Sequence, residues 1–187
     1  MMGLATGSYA IGPATGPLTV HTRRGGLGAL AGHDLVIEVT RWDGTIRIDT
    51  DRIAASAVEV VVDATSLEVR EGNGAVPLLA INKSEIAKTI DKVLGTSKHR
   101  EMRFRSVAVT PTPGGFRVDG DLTIAGVTRP ADLAVSVDPD AGHPRGTVTA
   151  TVVQSEFGIK PYSAMFGALK VLDAVEIHAE VRLPRRR

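Results

Sequence analysis

The chain has 187 residues and a mass of 19.7 kDa, the usual span of one domain, with enough length to bury a core without disulfide or metal staples. Its 22 Lys and Arg stand against 21 Asp and Glu, a formal charge of +1, so the basic excess of a nucleic-acid-binding surface is missing. The absence of cysteine excludes disulfide frameworks, thiolate zinc sites and cysteine nucleophiles together.

Residues 1 to 20 carry no Lys or Arg and no uninterrupted apolar run, so both the charged and the apolar region of a secretory signal are missing. No apolar run approaches the roughly 20 residues of a membrane span, and Met2 occupies the position where a myristoylation signal needs Gly. A soluble, cytoplasmic protein is expected. With 20 Gly and 10 Pro punctuating runs rich in Val, Thr and Ile, the composition favours strands and turns.

A first strand is expected over residues 17–23. Gly25-Gly26-Leu27-Gly28-Ala29-Leu30-Ala31-Gly32 resembles a phosphate loop, but that fingerprint must follow a strand and open a helix, and here Asp34 to Thr40 alternates as a strand. The segment reads as a flexible connection. Leu35, Ile37 and Val39 oppose Val36, Glu38 and Thr40, and Ile46 and Ile48 oppose Thr45, Arg47 and Asp49, with Trp42-Asp43-Gly44 as the turn between them. Val58, Val60 and Val62 continue the period of two.

The spacing of Ile86, Ile90, Val93 and Leu94 at i, i+4, i+7 and i+8 predicts a helix over 83–94. Asn82 is its expected N-cap, Glu85 follows three residues later, and Gly95 stands at the left-handed exit. The long connection from Thr65 to Arg100 should lay this helix across one end of a barrel. Met102 and Phe104 then oppose Arg103 and Arg105, and Val118, Leu122 and Ile124 flank Asp119 and Asp121. Leu133, Val135 and Val137 precede Val148, Ala150 and Val152, and Val175, Ile177, Ala179 and Val181 close the series. About eight or nine strands with one dry face each, and no helical layer to cover two, predict an all-β fold: an antiparallel barrel or a sandwich. The Pro184–Arg187 tail reads as a solvated end.

The five histidines, His21, His33, His99, His143 and His178, share no metal-ligand spacing. The pairs Asp49/Asp51, Asp119/Asp121 and Asp138/Asp140 read as turn residues that bond local backbone. No Gly-x-Ser-x-Gly elbow occurs, and Ser66, Ser84, Ser106 and Ser163 have no neighbouring base. Seven aromatic residues occur in all, and Phe157, Tyr162 and Phe166 crowd into ten positions with Met165. That segment reads as a core plug, or as a lid over an apolar cavity with Tyr162 and Ser163 as polar handles.

Several segments in order resemble the YceI-like proteins: Asp63-x-x-Ser66-Leu67; Val93 through Ser106; Gly120-Asp121-Leu122-Thr123-Ile124-Ala125-Gly126-Val127-Thr128-Arg129-Pro130; and Ser155-x-Phe157-Gly158-Ile159. The resemblance covers about residues 17–183, and residues 23–34 depart from the common family pattern. It implies one lipocalin-like antiparallel barrel domain over 1–187, with short tails. It also implies a tunnel that holds a polyisoprenoid or related amphiphile, no enzyme activity, no cofactor beyond such a lipid, and a homodimer as one assembly.

Strand parity and the aromatic cluster together nominate Leu35, Ile37, Val39, Val60, Met102, Phe104, Ile124, Val135, Phe157, Tyr162 and Phe166 as ligand-lining residues. The leading reading is therefore non-catalytic binding, transport or storage of a long apolar ligand. One alternative is a small cofactor-free isomerase, lyase or hydrolase using His33 and Asp34 as an acid/base pair. Another is a filled barrel that serves protein contacts.

Overall fold

A computed structural model describes residues 4–138 and 144–183, and the features read at Asp140, His143 and Pro184–Arg187 lie outside them. Among the described residues run β1 (Gly7–Ile11), β2 (Leu18–Thr22), β3 (Arg24–Gly25), β4 (His33–Val39), β5 (Trp42–Ile48), β6 (Ala57–Asp63) and β7 (Leu67–Gly74). After them come α1 (Ala80–Leu94), β8 (Glu101–Thr112), β9 (Gly115–Ile124), β10 (Val127–Asp138) and β11 (Arg145–Val153). The chain ends in β12 (Ser163–Ala164), β13 (Leu169–Val171) and β14 (Ala174–Arg182). Eleven strands form one antiparallel sheet in the order β1-β5-β6-β8-β9-β10-β11-β14-β2-β4-β7, and β12, β13 and β3 form a small second sheet. No helix among the described residues is long and apolar enough to cross a membrane.

The expected eight or nine strands are thus corrected to eleven in the main sheet. The two that the alternation misses are its edges: β1 is short and Gly-flanked, and β7 spends its second half on Glu71, Gly72, Asn73 and Gly74. Edge strands are commonly short or charged because long apolar edges invite pairing with other chains. The sheet curls into a half-barrel, so that Tyr9 and Ile11 of β1 pack with Val39 of β4 and Val181 of β14.

Trp42-Asp43-Gly44 is not a turn. The chain bends at Arg41, and β5 starts at Trp42. Gly44 lies inside the strand because a Cβ there would meet the Glu59 carbonyl at 2.5 Å. Consecutive strands β4 and β5 do not pair; they stand near opposite ends of the sheet. The link between them lies against the β6–β7 link: Thr40 N–H donates to the Ser66 carbonyl at 2.9 Å, Asp63 N–H to the Arg41 carbonyl at 3.0 Å, and Arg41 N–H to Ser66 Oγ at 3.1 Å. Two crossings of the chain, bonded to each other, therefore tie the sheet's ends together, with Ala64 fully buried between them. Asp63 and Ser66 of the Asp63-x-x-Ser66 segment are the parts of this corner.

Asp63 Oδ1 accepts both the N–H and the hydroxyl of Thr65, and Oδ2 meets Arg41 at 3.2 Å. The Thr65 bonds, with Arg41 adding to them, hold its carboxyl down to about 2. A carboxyl with a folded pKa below its unfolded one stabilises the fold fully above the unfolded value, and that contribution is lost as pH falls through the folded value. Acid melting curves followed by circular dichroism should therefore fall more steeply between pH 4 and pH 2 (both about the limits of that titration) for the native chain than for Asp63→Asn. Parallel curves would assign the acid sensitivity elsewhere.

α1 begins at Ala80 with Leu79 at the N-cap, three residues earlier than the apolar spacing indicates. Asn82 is not the cap residue; it lies in the first turn and its Oδ1 accepts the Leu79 N–H at 3.1 Å, which satisfies one of the donors a helix start leaves unpaired. Gly95 ends the helix in the left-handed conformation, as expected. Ile86 and Ile90 pack on Leu35, Ile37 and Val69, while Val93 and Leu94 pack beside Ile124 and Val152, so α1 spans one end of the half-barrel.

Asp119 and Asp121 are not turn residues but outward positions of β9, where Asp119 pairs with Arg117 at 2.9 Å. Asp49 does cap a turn, accepting from the N–H groups of Asp51 and Arg52. The Leu122–Arg129 segment is a hairpin whose two central residues, Ala125 and Gly126, both have positive φ. That is the geometry a two-residue loop needs to match the strand twist.

Candidate functional site

The inward face of the sheet surrounds a cavity of about 570 Å³, bordered by side chains from all eleven strands and from α1. This lies within the size range of small-molecule pockets. Parity along each strand builds it: Val58, Val60 and Val62 face in from β6, Phe116, Val118, Leu122 and Ile124 from β9, and Leu133, Val135 and Val137 from β10. Its wall is chiefly Val, Ile, Leu and Ala; Thr22, Ser56, Thr89 and Gln154 are among the few uncharged polar side chains on it.

Of the nominated lining residues, Leu35, Ile37 and Val39 on β4, Val60 on β6, Met102 and Phe104 on β8, Ile124 on β9, Val135 on β10, and Tyr162 border this cavity. Phe157 and Phe166 do not. Phe157 is buried with Val152, Ile159 and Val175 in the packing beside the cavity. Phe166 is 113% exposed, at the tip of the β12–β13 hairpin, on left-handed backbone with φ +56°. Counting aromatics could not separate these fates, because residues 154–168 pass through two short 3₁₀ turns and a two-residue strand, and no fixed period assigns their faces.

Val148, Ala150 and Val152 of β11 and Val175, Ile177, Ala179 and Val181 of β14 also border the cavity; the same parity marks them. Trp42 was hidden by its assignment to a turn. It is 6% exposed, lies on the wall, and its Nε1 has no hydrogen-bond partner. Buried donors left unpaired are uncommon and each calls for a reason.

His33 and Asp34 do not assemble an acid/base pair at this site. They are consecutive on β4; His33 Nε2 bonds the Val76 carbonyl at 2.7 Å and Asp34 Oδ1 accepts the Arg24 N–H at 2.8 Å, and neither borders the cavity. His21 and His178 do meet, with ring centroids 4.4 Å apart, on the polar face of β2 and β14. Burial, aided by His178, holds the His21 pKa below its ordinary value. Among the described residues no three or more His, Asp or Glu gather as a metal site.

Beside the cavity the small sheet forms a flap. β13 pairs with β3, Leu172 N–H donates to the Arg23 carbonyl, and Gly28 N–H donates to the Ala168 carbonyl, both at 2.8 Å. Its base is held where Ser155 N–H and Oγ both donate to the Asp173 carboxylate, and Gly158, at φ +71°, lets Phe157 and Ile159 both turn into the core. Tyr162 and Val171 carry the flap's inner surface to the cavity wall.

The model of the YceI-like domain matches residues 9–183. Among curated proteins, a "UPF0312 protein" of Pseudomonas syringae pv. tomato is 32% identical over 128 residues, 64% of this chain and 60% of that one. The corresponding protein of Vibrio cholerae is 30% identical over 149 residues, 75% of this chain and 70% of that one. The chain spans about 60% of the length of the Pseudomonas relatives it matches. Among solved structures, Burkholderia cenocepacia BcnA superposes with a TM-score of 0.72 at 12% identity, covering 93% of this chain and 99% of that one. The Campylobacter jejuni YceI protein superposes at 0.53 with 16% identity, covering 81% and 85%.

Proposed function

The chain belongs to the YceI-like family, and from that premise we propose that it is a non-catalytic carrier of a long apolar lipid of the polyisoprenoid or isoprenoid-quinone kind, held inside a lipocalin-like half-barrel. The observation that carries this reading is the apolar cavity continuous across every strand of the main sheet. A chain threaded there is held by burial, about 25 cal/mol per Å² of apolar surface or about 0.8 kcal/mol per methylene. Wall residues nominated from strand parity supply the contacts, with Tyr162 at the flap as a polar neighbour for the lipid's head. Burial of this kind selects mainly by length and bulk, and the unpaired Trp42 Nε1–H on the wall offers a directional contact. The family segments fit this role: the Asp63 and Ser66 corner, the Ala125-Gly126 hairpin and the Ser155–Asp173 flap base all shape the container.

Native mass spectrometry of the purified chain, followed by solvent extraction, tests the reading. The expected result is a discrete adduct whose released molecule fragments in repeating five-carbon units. A protein that stays at its bare mass after incubation with isoprenoid quinones and fatty acids would overturn it.

A further inference from the structure

The flap and its neighbour carry a second pattern that cavity lining does not explain. Leu27 is 102% exposed, and Leu30, Met165 and Phe166 are exposed with it. They lie together, since Gly28 N–H bonds the Ala168 carbonyl and the stretch around Leu27 runs beside the tip of the β12–β13 hairpin. Met165 and Phe166 both have positive φ, a conformation that costs energy for bulky side chains and that persists where function requires it. An exposed Phe on strained backbone gains nothing for the free protein. The patch continues across the His33–Val76 hydrogen bond to Val76, Leu79 and Ile81, which are also exposed.

The segments that form this patch carry cations. Residues 22–33, 72–84 and 157–172 contain no Asp or Glu and carry Arg23, Arg24, Lys83, Lys160 and Lys170, while nearby carboxylates are engaged locally: Asp34 by the Arg24 N–H, Glu85 by Lys88, Asp173 by Ser155 and Glu176 by Arg23. Arg24 fastens two of these segments, donating to the carbonyls of Gly32 and Asn73. Two of these segments border the cavity, through Thr22, Tyr162 and Val171, and the third leads into α1, whose Ile86 borders it too. Exposed apolar residues beside cations match the interfacial region of an anionic bilayer, where apolar groups enter the headgroup boundary and Lys and Arg meet lipid phosphates.

We propose that the flap tip around Leu27 and Phe166, with its cationic surround, docks on anionic membranes and presents the helix end of the cavity to the bilayer. This rests on the carrier reading for its purpose. A lipid then passes between bilayer and cavity without crossing water.

Co-sedimentation with vesicles of phosphatidylcholine and phosphatidylglycerol in equal parts, against phosphatidylcholine alone, tests it. Binding should need the anionic lipid and weaken with salt. Phe166→Asp, chosen because Asp tolerates positive φ, and Leu27→Asp should each cut the bound fraction's affinity about tenfold. Lys160→Gln and Lys170→Gln should each cut it about fivefold. Uptake of a quinone dispersed in detergent, measured on the same samples, should be unchanged by all four. Wild type that takes up quinone from detergent yet ignores anionic vesicles overturns the docking surface and leaves the carrier reading standing. Vesicle binding without any quinone uptake supports docking and removes the carrier reading. Loss of a self-associated species in Phe166→Asp, with no vesicle binding by wild type, assigns the patch to a second copy and overturns the proposal.

Discussion

Ala150→Phe combined with Ala179→Phe should remove lipid uptake while the chain remains folded. Ala150 on β11 and Ala179 on β14 both border the cavity from adjacent strands, where Ala150 pairs with Ile177 and Val148 with Ala179. Enlarging a side chain in a filled core costs about 1–3 kcal/mol through displaced neighbours; here the added rings enter open volume, so the cost to folding is smaller. The ligand bears the loss instead. Displacing only three methylenes of a bound chain forfeits about 2.4 kcal/mol, about fiftyfold in affinity. Uptake titrations followed by the fluorescence of Trp42, the one tryptophan of the sequence, measure the change. Undiminished uptake by a folded double variant would place the lipid elsewhere.

Trp42 separates the container from its contents. Trp42→Ala removes a buried ring packed among Tyr9, Ile11, Ile48 and Val181, and substitutions of that kind cost about 3–5 kcal/mol. For a chain of this size that is a fall in Tm of about 6–20 °C by scanning calorimetry. Trp42→Phe keeps most of the ring but deletes the unpartnered Nε1–H, so stability should stay near that of the native chain or rise. Its affinity for quinones, which carry acceptor oxygens, should fall relative to hydrocarbon chains without one. Equal destabilisation by Phe and Ala would show that the indole nitrogen serves the fold and not a ligand.

Strand parity carried most of the fold from the sequence alone. Wherever one face of a strand is dry, as at Leu35–Val39 or Val175–Val181, the period of two gives both the strand and its inward side. Parity stops short at three places, each for a physical reason. The edge strands β1 and β7 bury little, so their pattern is faint. Trp42-Asp43-Gly44 has turn composition, yet Gly44 serves a close approach of β6 and β1 inside a strand. Phe166 is apolar, and composition alone assigned it to an interior, whereas its exposure depends on the route of the flap through residues 163–168. Pairing order was less accessible still: alternation says that β4 and β5 each have a dry face, not that the sheet will part between them.

The position of β2 also bears on how the chain is made. Leu18 to His21 pair with Ala179 to Glu176 on one side and Thr19 to Thr22 with Glu38 to Leu35 on the other, so β2 gains one partner soon after it is made and the other only about 155 residues later. Strand pairings this distant in sequence make folding slow, and translation must deliver β14 before the sheet has an unbroken path from β11 to β2. Until then, β2 and β11 present open edges beside an uncovered apolar trough. Emerging chains in that condition are prone to aggregate, and the exposure ends when β14 seats between β11 and β2.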